Sequence, residues 1–296
     1  IYGDVRIKKP GYEAQLWVTG CTHVIGFFRD RLSLVEVIAG EEIPLPSRGQ
    51  TLSLPFRGEK AHQQKRLQSA ASSKPRTLAE FVLAARAAKR APRRVFVVLH
   101  CFSGENRDFD LEWWLLELAS RNSLSILVAS VDLGADLAWD LTNYETFHEL
   151  YEMSVTGLLD AVVGGPPCST WSRLRFLPGG PRPLRFRDSP WGRRDATAVE
   201  HDRITEGNLC MINFMALCEA VAVRGGLHLQ EHPEDPGEDP FPSIWATDEH
   251  AAFELRASGH KCIFDQCPLG GETRKPTRIS TNICGFPEEG PRCPGN

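Results

Sequence analysis

The sequence lacks an apolar window long enough to cross a bilayer, and its first 40 residues contain no signal-peptide pattern. These absences predict an intracellular protein, nuclear if the source is eukaryotic, with no membrane partner. The sequence also lacks an excess of basic residues, because its net charge is −4. This disfavours a general nucleic-acid coat but leaves room for a local basic patch. Since the chain starts at Ile1 rather than Met, we expect other domains of a longer polypeptide as partners.

The sequence also gives no indication of a disulfide framework. The nine cysteines are odd in number and no secretion signal accompanies them, so reduced thiols in an intracellular protein are expected. Four of them lie towards the C-terminus, with intervening lengths of 4, 16 and 8 residues that match no standard zinc pattern, and we predict no metal. These four are Cys262, Cys267, Cys284 and Cys293.

Composition divides the chain near residue 75. Residues 1–75 alternate short apolar pieces with turn residues, which predicts an irregular N-terminal extension and linker. Residues 76–296 are predicted to form one α/β domain. Its four apolar runs have the pattern of buried strands. The segments beside these runs have apolar residues at helical spacing. The strands are predicted at 95–100, 124–132, 159–165 and 226–232, and the helices at 77–91, 111–121, 145–158 and 204–225.

Strands that alternate with helices predict a Rossmann-like, doubly wound and mostly parallel sheet, in which ligands bind beyond the carboxyl ends of the strands. The first strand ends in Phe102, Ser103 and Gly104, and the glycine would let a ligand approach the backbone. The second ends at Asp132, whose two oxygens could accept both hydroxyls of a ribose, and Asp140 could reach an adenine amino group. Each residue alone is equally consistent with an ordinary loop.

The third strand runs directly into Gly164–Cys168, with the sequence GGPPC. Two glycines allow close backbone approach and two prolines stiffen the loop, so the Cys168 thiol is held in one place. It could be a nucleophile, a metal ligand or an inert apolar group. The fourth strand ends in Glu231, His232 and Pro233. A metal site would need more ligands than His232, and a hydrolase would need a base beside Cys168.

In this order, the motifs resemble those of the cytosine carbon-5 methyltransferases, which use S-adenosylmethionine. GGPPC is similar to that family's nucleophile loop, and Glu231–Pro233 to its Glu-Asn-Val or Glu-Asn-Pro motif. The resemblance implies a class I methyltransferase-like fold, with Cys168 and Glu231 as catalytic residues. It also implies a set of residues that bind the cofactor: Phe102, Ser103, Gly104, Asp132, Asp140 and Pro166.

The implied reaction is methylation of carbon 5 of cytosine in DNA, with RNA as a further substrate class. The Cys168 thiolate would add to carbon 6 of a flipped-out base, while Glu231 would hold ring nitrogen 3 and the amino group. Arg278, in RKPTRISTN, is a candidate for the family's Gln-x-Arg-x-Arg motif. The alternatives are an inactive methyltransferase-like domain of a phage or retroelement that binds nucleic acid or a partner, and a thiol hydrolase.

The segment after Cys168 is rich in arginine, with seven between residues 173 and 194, interleaved with aromatic residues, proline and glycine. Arginine binds phosphates and aromatic rings stack on bases, which predicts a loop that binds nucleic acid. A solvated basic loop is the alternative. The residues predicted to bind nucleic acid are Arg173, Arg175, Arg185, Arg187 and Arg193.

Overall fold

The computed structural model describes residues 75, 77–104, 110–132, 139–269 and 273–294, and the backbone of four strands within residues 2–36. These four strands form two antiparallel two-stranded sheets, β1–β2 and β3–β4. The extension predicted to be irregular therefore contains regular strands, since neighbouring strands need only a short turn to pair. They are β1 (Tyr2–Lys9), β2 (Tyr12–Thr19), β3 (His23–Phe28) and β4 (Arg31–Glu36).

The rest of the described chain alternates helices and strands as its periodicity predicts, and the predicted elements are confirmed with bounds within three residues, except that the helix predicted from residue 204 begins at Ala198. Thr77 caps the first helix in a capping box with Glu80, which fixes where that helix begins. The helices are α1 (Leu78–Arg90), α2 (Leu111–Arg121), α3 (Tyr144–Val155), α4 (Ala198–Val223) and α5 (Asp248–Arg256). The strands are β5 (Val95–Cys101), β6 (Ser125–Val131), β7 (Ala161–Gly164), β8 (Leu227–Pro233), β9 (His260–Asp265) and β10 (Pro276–Thr281).

The predicted Rossmann-like, doubly wound and mostly parallel sheet is wrong. The strands are mostly short, and they form a mixed sheet in the order β6-β5-β7-β8-β10-β9. Strands β5 to β8 pair in parallel, whereas β10 lies antiparallel to both β8 and β9. The apolar-run criterion missed β9 and β10, because both carry charged or hydroxyl side chains among their apolar ones.

The main core lies where α1, α3 and α4 pack on the sheet, around side chains such as Phe81, Leu99 and Phe214. By length and composition, α4 is apolar enough to cross a membrane, which corrects the prediction that no such window exists. Half of its most apolar window is buried inside the protein, against β7, β8, α3 and α5. The burial of this helix in the core accounts for its composition.

Candidate functional site

The parallel strands end at one edge of the sheet. Four residues lie there that were predicted to belong to the functional site or that adjoin such a residue. Cys101 pairs with Val131 and Gly164, and Gly164 pairs with Gln230. The next residue on each strand therefore stands at the same level, just beyond the ladder. Those residues are Phe102, Asp132, Gly165 and Glu231. The structure thus places the predicted cofactor side and the predicted catalytic side at adjacent strand ends.

Close contacts leave little room for a side chain at either glycine of GGPPC, and least at Gly164. A Cβ at Gly164 would overlap the carbonyl oxygen of Cys101. A Cβ at Gly165 would lie 2.7 Å from the Glu231 Oε2 atom, well inside van der Waals contact. The loop that carries Cys168 therefore runs directly past the Glu231 carboxylate because it has no side chain at this point.

Cys168 lies within the electrostatic reach of two charged groups, Glu231 and Lys275. Burial raises the pKa of the Cys168 thiol, the Lys275 ammonium lowers it, and the Glu231 carboxylate raises it again. Lys275 Nζ lies 3.2 Å from Glu231 Oε1, so the ammonium and the carboxylate form an ion pair. The thiol, the carboxylate and the ammonium are named here the Cys168 cluster.

Sequence reasoning missed Lys275, and the antiparallel strand explains why. β8 ends at Pro233, which pairs with Thr277 near the start of β10. Because β10 runs antiparallel to β8, the residue just before β10 lies at the edge where the parallel strands end. The sequence RKPTRISTN contains Lys275, but only Arg278 was selected from it as a candidate site residue.

Arg278 is on the other face of the sheet from Glu231. Its guanidinium lies 2.7 Å from Glu254 and stacks 4.4 Å over the ring of Trp245. His232 also faces away from Glu231, because successive side chains of a strand alternate. Its ring packs against Trp171 and Trp245. Arg278 therefore cannot act at the Cys168 cluster, and His232 cannot supply a base or metal ligand to Cys168.

The groups that shift the pKa of Cys168 include no histidine in the described part of the chain. A thiol hydrolase would need such a base, so the arrangement gives that alternative no support. Within the described ranges there is also no group of three or more His, Cys, Asp or Glu residues arranged to hold a metal ion.

The predicted cofactor side is a backbone turn held by a carboxylate. The Gly104 N–H donates to Asp132 Oδ2 at 2.9 Å, and Ser103 N–H donates to the Val131 carbonyl at 3.2 Å. Phe102 and Gly104 have φ values of 57° and 69°, a conformation that costs Gly104 little. The residues that follow, 105–109, lie outside the described part of the chain.

Asp140 and Pro166 occupy positions close to the core. Asp140 Oδ1 accepts from the backbone N–H and the hydroxyl of Thr142 at 2.8 and 2.7 Å, so it stabilises the turn before α3. Trp139, beside it, is buried against Phe81 of α1. Pro166 is buried within the loop that carries Cys168. These contacts fix the two loops, whatever else the residues bind.

Arg185 was predicted to bind nucleic acid, and the structure contradicts this because its side chain is 0% exposed. Its guanidinium donates to Thr170 at 3.0 Å, Asn208 at 2.6 Å and the Ile204 carbonyl at 3.1 Å. It also lies 4.2 Å from the ring of Trp171. Burial lowers the pKa of Arg185 to about 9, which leaves it charged at neutral pH. Arg185 therefore anchors the residues after Cys168 to α4.

Three other predicted arginines are already engaged within the protein. Arg187 forms a bidentate pair with Asp235, at 2.8 and 3.3 Å, and Arg193 forms one with Asp195, at 2.6 and 2.7 Å. Arg175 donates to two backbone carbonyls. These pairs weaken the prediction for each residue, because an arginine that binds a phosphate must first give up its partner. Arg173 is exposed and, among the described residues, has no ion-pair partner.

One family model matches residues 2–152 and is described as protein of unknown function DUF2617. The matched range contains Gly104, Asp132 and Asp140 but ends before Cys168, Glu231 and Lys275. No curated protein matches the chain.

Proposed function

Because the chain belongs to the DUF2617 family, whose function is unknown, we propose its function from the candidate site itself. The proposed reaction is methylation of carbon 5 of cytosine in DNA, with S-adenosylmethionine as the methyl donor. The observation that carries the proposal is the Cys168 cluster, which groups a thiol, a carboxylate and an ammonium at one edge of the sheet.

The residues at the ends of β5 and β6 suit an adenosine-containing cofactor. A carboxylate such as that of Asp132 is the acceptor that ribose hydroxyls require, and the turn at Gly104 brings bare backbone beside it. When bound, S-adenosylmethionine would supply an electrophilic methyl group on a sulfonium. Asp132 would orient the ribose while it continues to hold the Gly104 N–H.

Cys168 would act as the nucleophile. Its thiolate would form a bond to carbon 6 of cytosine, and the electrons of the 5,6 double bond would make carbon 5 nucleophilic. Burial raises the pKa of the thiol, and Lys275 is the charged group that opposes this effect. Lys275 therefore increases the fraction of reactive thiolate at neutral pH.

Glu231 would bind the cytosine ring. Lys275 occupies Oε1, whereas Oε2 faces the nucleophile loop at Gly165. The carboxylate would accept from the amino group and, with a proton supplied by the Lys275 pair, would protonate nitrogen 3 as sulfur adds. Once carbon 5 is methylated, it loses its proton to a base, the Cys168 thiolate leaves as the double bond forms again, and nitrogen 3 returns its proton to the Glu231–Lys275 pair.

A second candidate is a domain that binds nucleic acid or a protein partner without catalysis. The raised pKa of Cys168 and the internal pairing of Arg187 and Arg193 favour it. In that case the thiol would be a packing group, and the Cys168 cluster would have no reaction to perform.

Covalent trapping tests the proposal. The protein is incubated with S-adenosylmethionine and duplex DNA containing 5-fluorocytosine at many sites, because fluorine blocks the release of the adduct from the enzyme. Peptide mass spectrometry should find the adduct on Cys168, and Cys168→Ala should abolish it. Cys284→Ala, which alters a half-buried thiol outside the cluster, should retain it.

Calorimetry with S-adenosylhomocysteine provides a readout separate from activity. Wild type should bind, and Asp132→Ala should weaken binding about tenfold or more, since a buried hydrogen bond to ribose is worth more than 1 kcal/mol. Cofactor binding without an adduct on DNA, but with one on 5-fluorocytosine RNA, would change the substrate class. Cofactor binding with no adduct on either would favour the non-catalytic domain.

A further inference from the structure

The C-terminal residues 288–293, called here the C-terminal strap, lie along the outer edge of β9. Ile263 N–H donates to the Glu288 carbonyl at 3.0 Å, and Gly290 N–H donates to the Ile263 carbonyl at 2.7 Å. Asp265 N–H then donates to the Pro291 carbonyl at 2.9 Å. The strap thus continues the hydrogen bonding of the sheet as a short parallel pairing.

Two thiols meet where the strap passes the end of β9. Cys293 N–H donates to Asp265 Oδ2 at 2.7 Å, and Cys267 follows Asp265 by two residues, at the start of a single helical turn. The two cysteine side chains are in hydrogen-bond contact, and this contact is the main cause that raises the pKa of Cys267. Both thiols are reduced and half-buried, so they are accessible to a small reagent.

We propose that Cys267 and Cys293 form a reversible disulfide, a modification site that fastens the C-terminal strap to the end of β9. A disulfide needs its two Cα atoms within about 7 Å, and the hydrogen bond from Cys293 N–H to Asp265, two residues before Cys267, brings the two backbone segments together. Cys267 and Cys293 also differ from the core cysteines in their exposure. Cys101 and Cys218 are buried, and their burial raises the pKa of each thiol far enough to leave it inert.

The oxidant is a small-molecule disulfide such as glutathione disulfide. One cysteine, as its thiolate, attacks a glutathione sulfur, and the first glutathione leaves as a thiolate that takes up the proton the cysteine lost. The second cysteine thiolate attacks the mixed disulfide on the first cysteine, and the second glutathione leaves with the second proton. Two protein thiols are oxidised, and one glutathione disulfide is reduced to two glutathione molecules.

The site can be tested without reference to the proposed methylation. The protein is equilibrated with glutathione in which the disulfide form is in about tenfold excess. It is then alkylated and mapped by peptide mass spectrometry. We expect a Cys267–Cys293 cross-linked peptide that disappears in Cys267→Ser and in Cys293→Ser and that dithiothreitol reverses. Cys284→Ser is the matched control and should retain the link.

Protease sensitivity gives a second readout. Trypsin should cleave after Arg292 more slowly in oxidised wild type than in reduced wild type, and Cys293→Ser should show no such difference. Complete alkylation of both thiols across the redox series would overturn the proposal. A link from either thiol to a different cysteine would also overturn it.

Discussion

Acidification should destabilise this protein between pH 6.5 and about 4, because three histidines are buried in neutral form. Burial lowers the pKa of His228 to about 4, of His232 to about 3 and of His250 to about 4, from an ordinary 6.5. In the described part of the chain, neither ring nitrogen of His250 has a hydrogen-bond partner. Protonating these rings in the folded state would bury charges without full compensation.

The direction of this pH effect follows from proton uptake by the unfolded chain. Between the folded pKa and 6.5, the unfolded chain binds a proton on each histidine that the folded chain does not bind, so stability is lost as the pH falls. At pH 5 each histidine lowers the free energy of unfolding by about 2 kcal/mol, and the three together by about 6 kcal/mol. This sum is comparable to the whole stability of an ordinary domain.

Urea denaturation at several pH values between about 7 and 5 would measure this effect. We expect the free energy of unfolding to fall by about 4 kcal/mol per pH unit near pH 5. His250→Phe keeps an aromatic ring against Trp245 but removes one titrating group, so the slope should drop by about a third. His201→Gln, at an exposed position, should leave the slope unchanged.

Stability that is independent of pH in this range would contradict the burial of these histidines in neutral form. An unchanged slope in His250→Phe would also refute it for that residue. The carboxylates with lowered pKa values, such as Glu254, lose their stabilising effect mainly below their ordinary pKa of 4.5, so they contribute little between pH 7 and 5.

The remaining predictions concern Lys275 and Arg185. Lys275→Met should slow the alkylation of Cys168 by iodoacetamide several-fold at neutral pH, because the cation that lowers the thiol pKa is gone; an equal rate would show that the ammonium does not act on the thiol. Arg185→Met should lower the free energy of unfolding by about 3 kcal/mol, since it leaves buried acceptors unsatisfied. Arg173→Met, at an exposed arginine, should change it by less than about 0.5 kcal/mol, and equal effects of the two substitutions would contradict the anchoring role.

Local patterns predicted the elements well but not their full arrangement. Thr77 and its capping box mark the start of α1, and continuous apolar runs identified the four parallel strands. The mixed character of the sheet was missed because β9 and β10 are recognisable only by their pairing. Their register joins residues distant in sequence, such as Thr281 and Leu229, and no local pattern encodes that contact.

The sequence likewise predicted part of the candidate site. Cys168 and Glu231 lie near each other because Cys168 follows β7 and Glu231 lies near the end of the neighbouring β8, as their positions in the sequence indicated. The arginines after Cys168 were predicted to bind nucleic acid because the composition shows their charges but not the groups of the protein that bind them. Asp235, the partner of Arg187, lies 48 residues away, and Arg185 is held by uncharged acceptors that no charge count includes.

The position of the C-terminal strap has a consequence for the state of the protein in solution. A strand at the end of a sheet exposes unpaired peptide groups, and these can recruit the strand of another molecule. The strap occupies such groups on β9, at Ile263 and Asp265. A chain shortened before residue 287 would therefore keep its core but present a bare sheet edge, and we expect it to self-associate as its concentration rises.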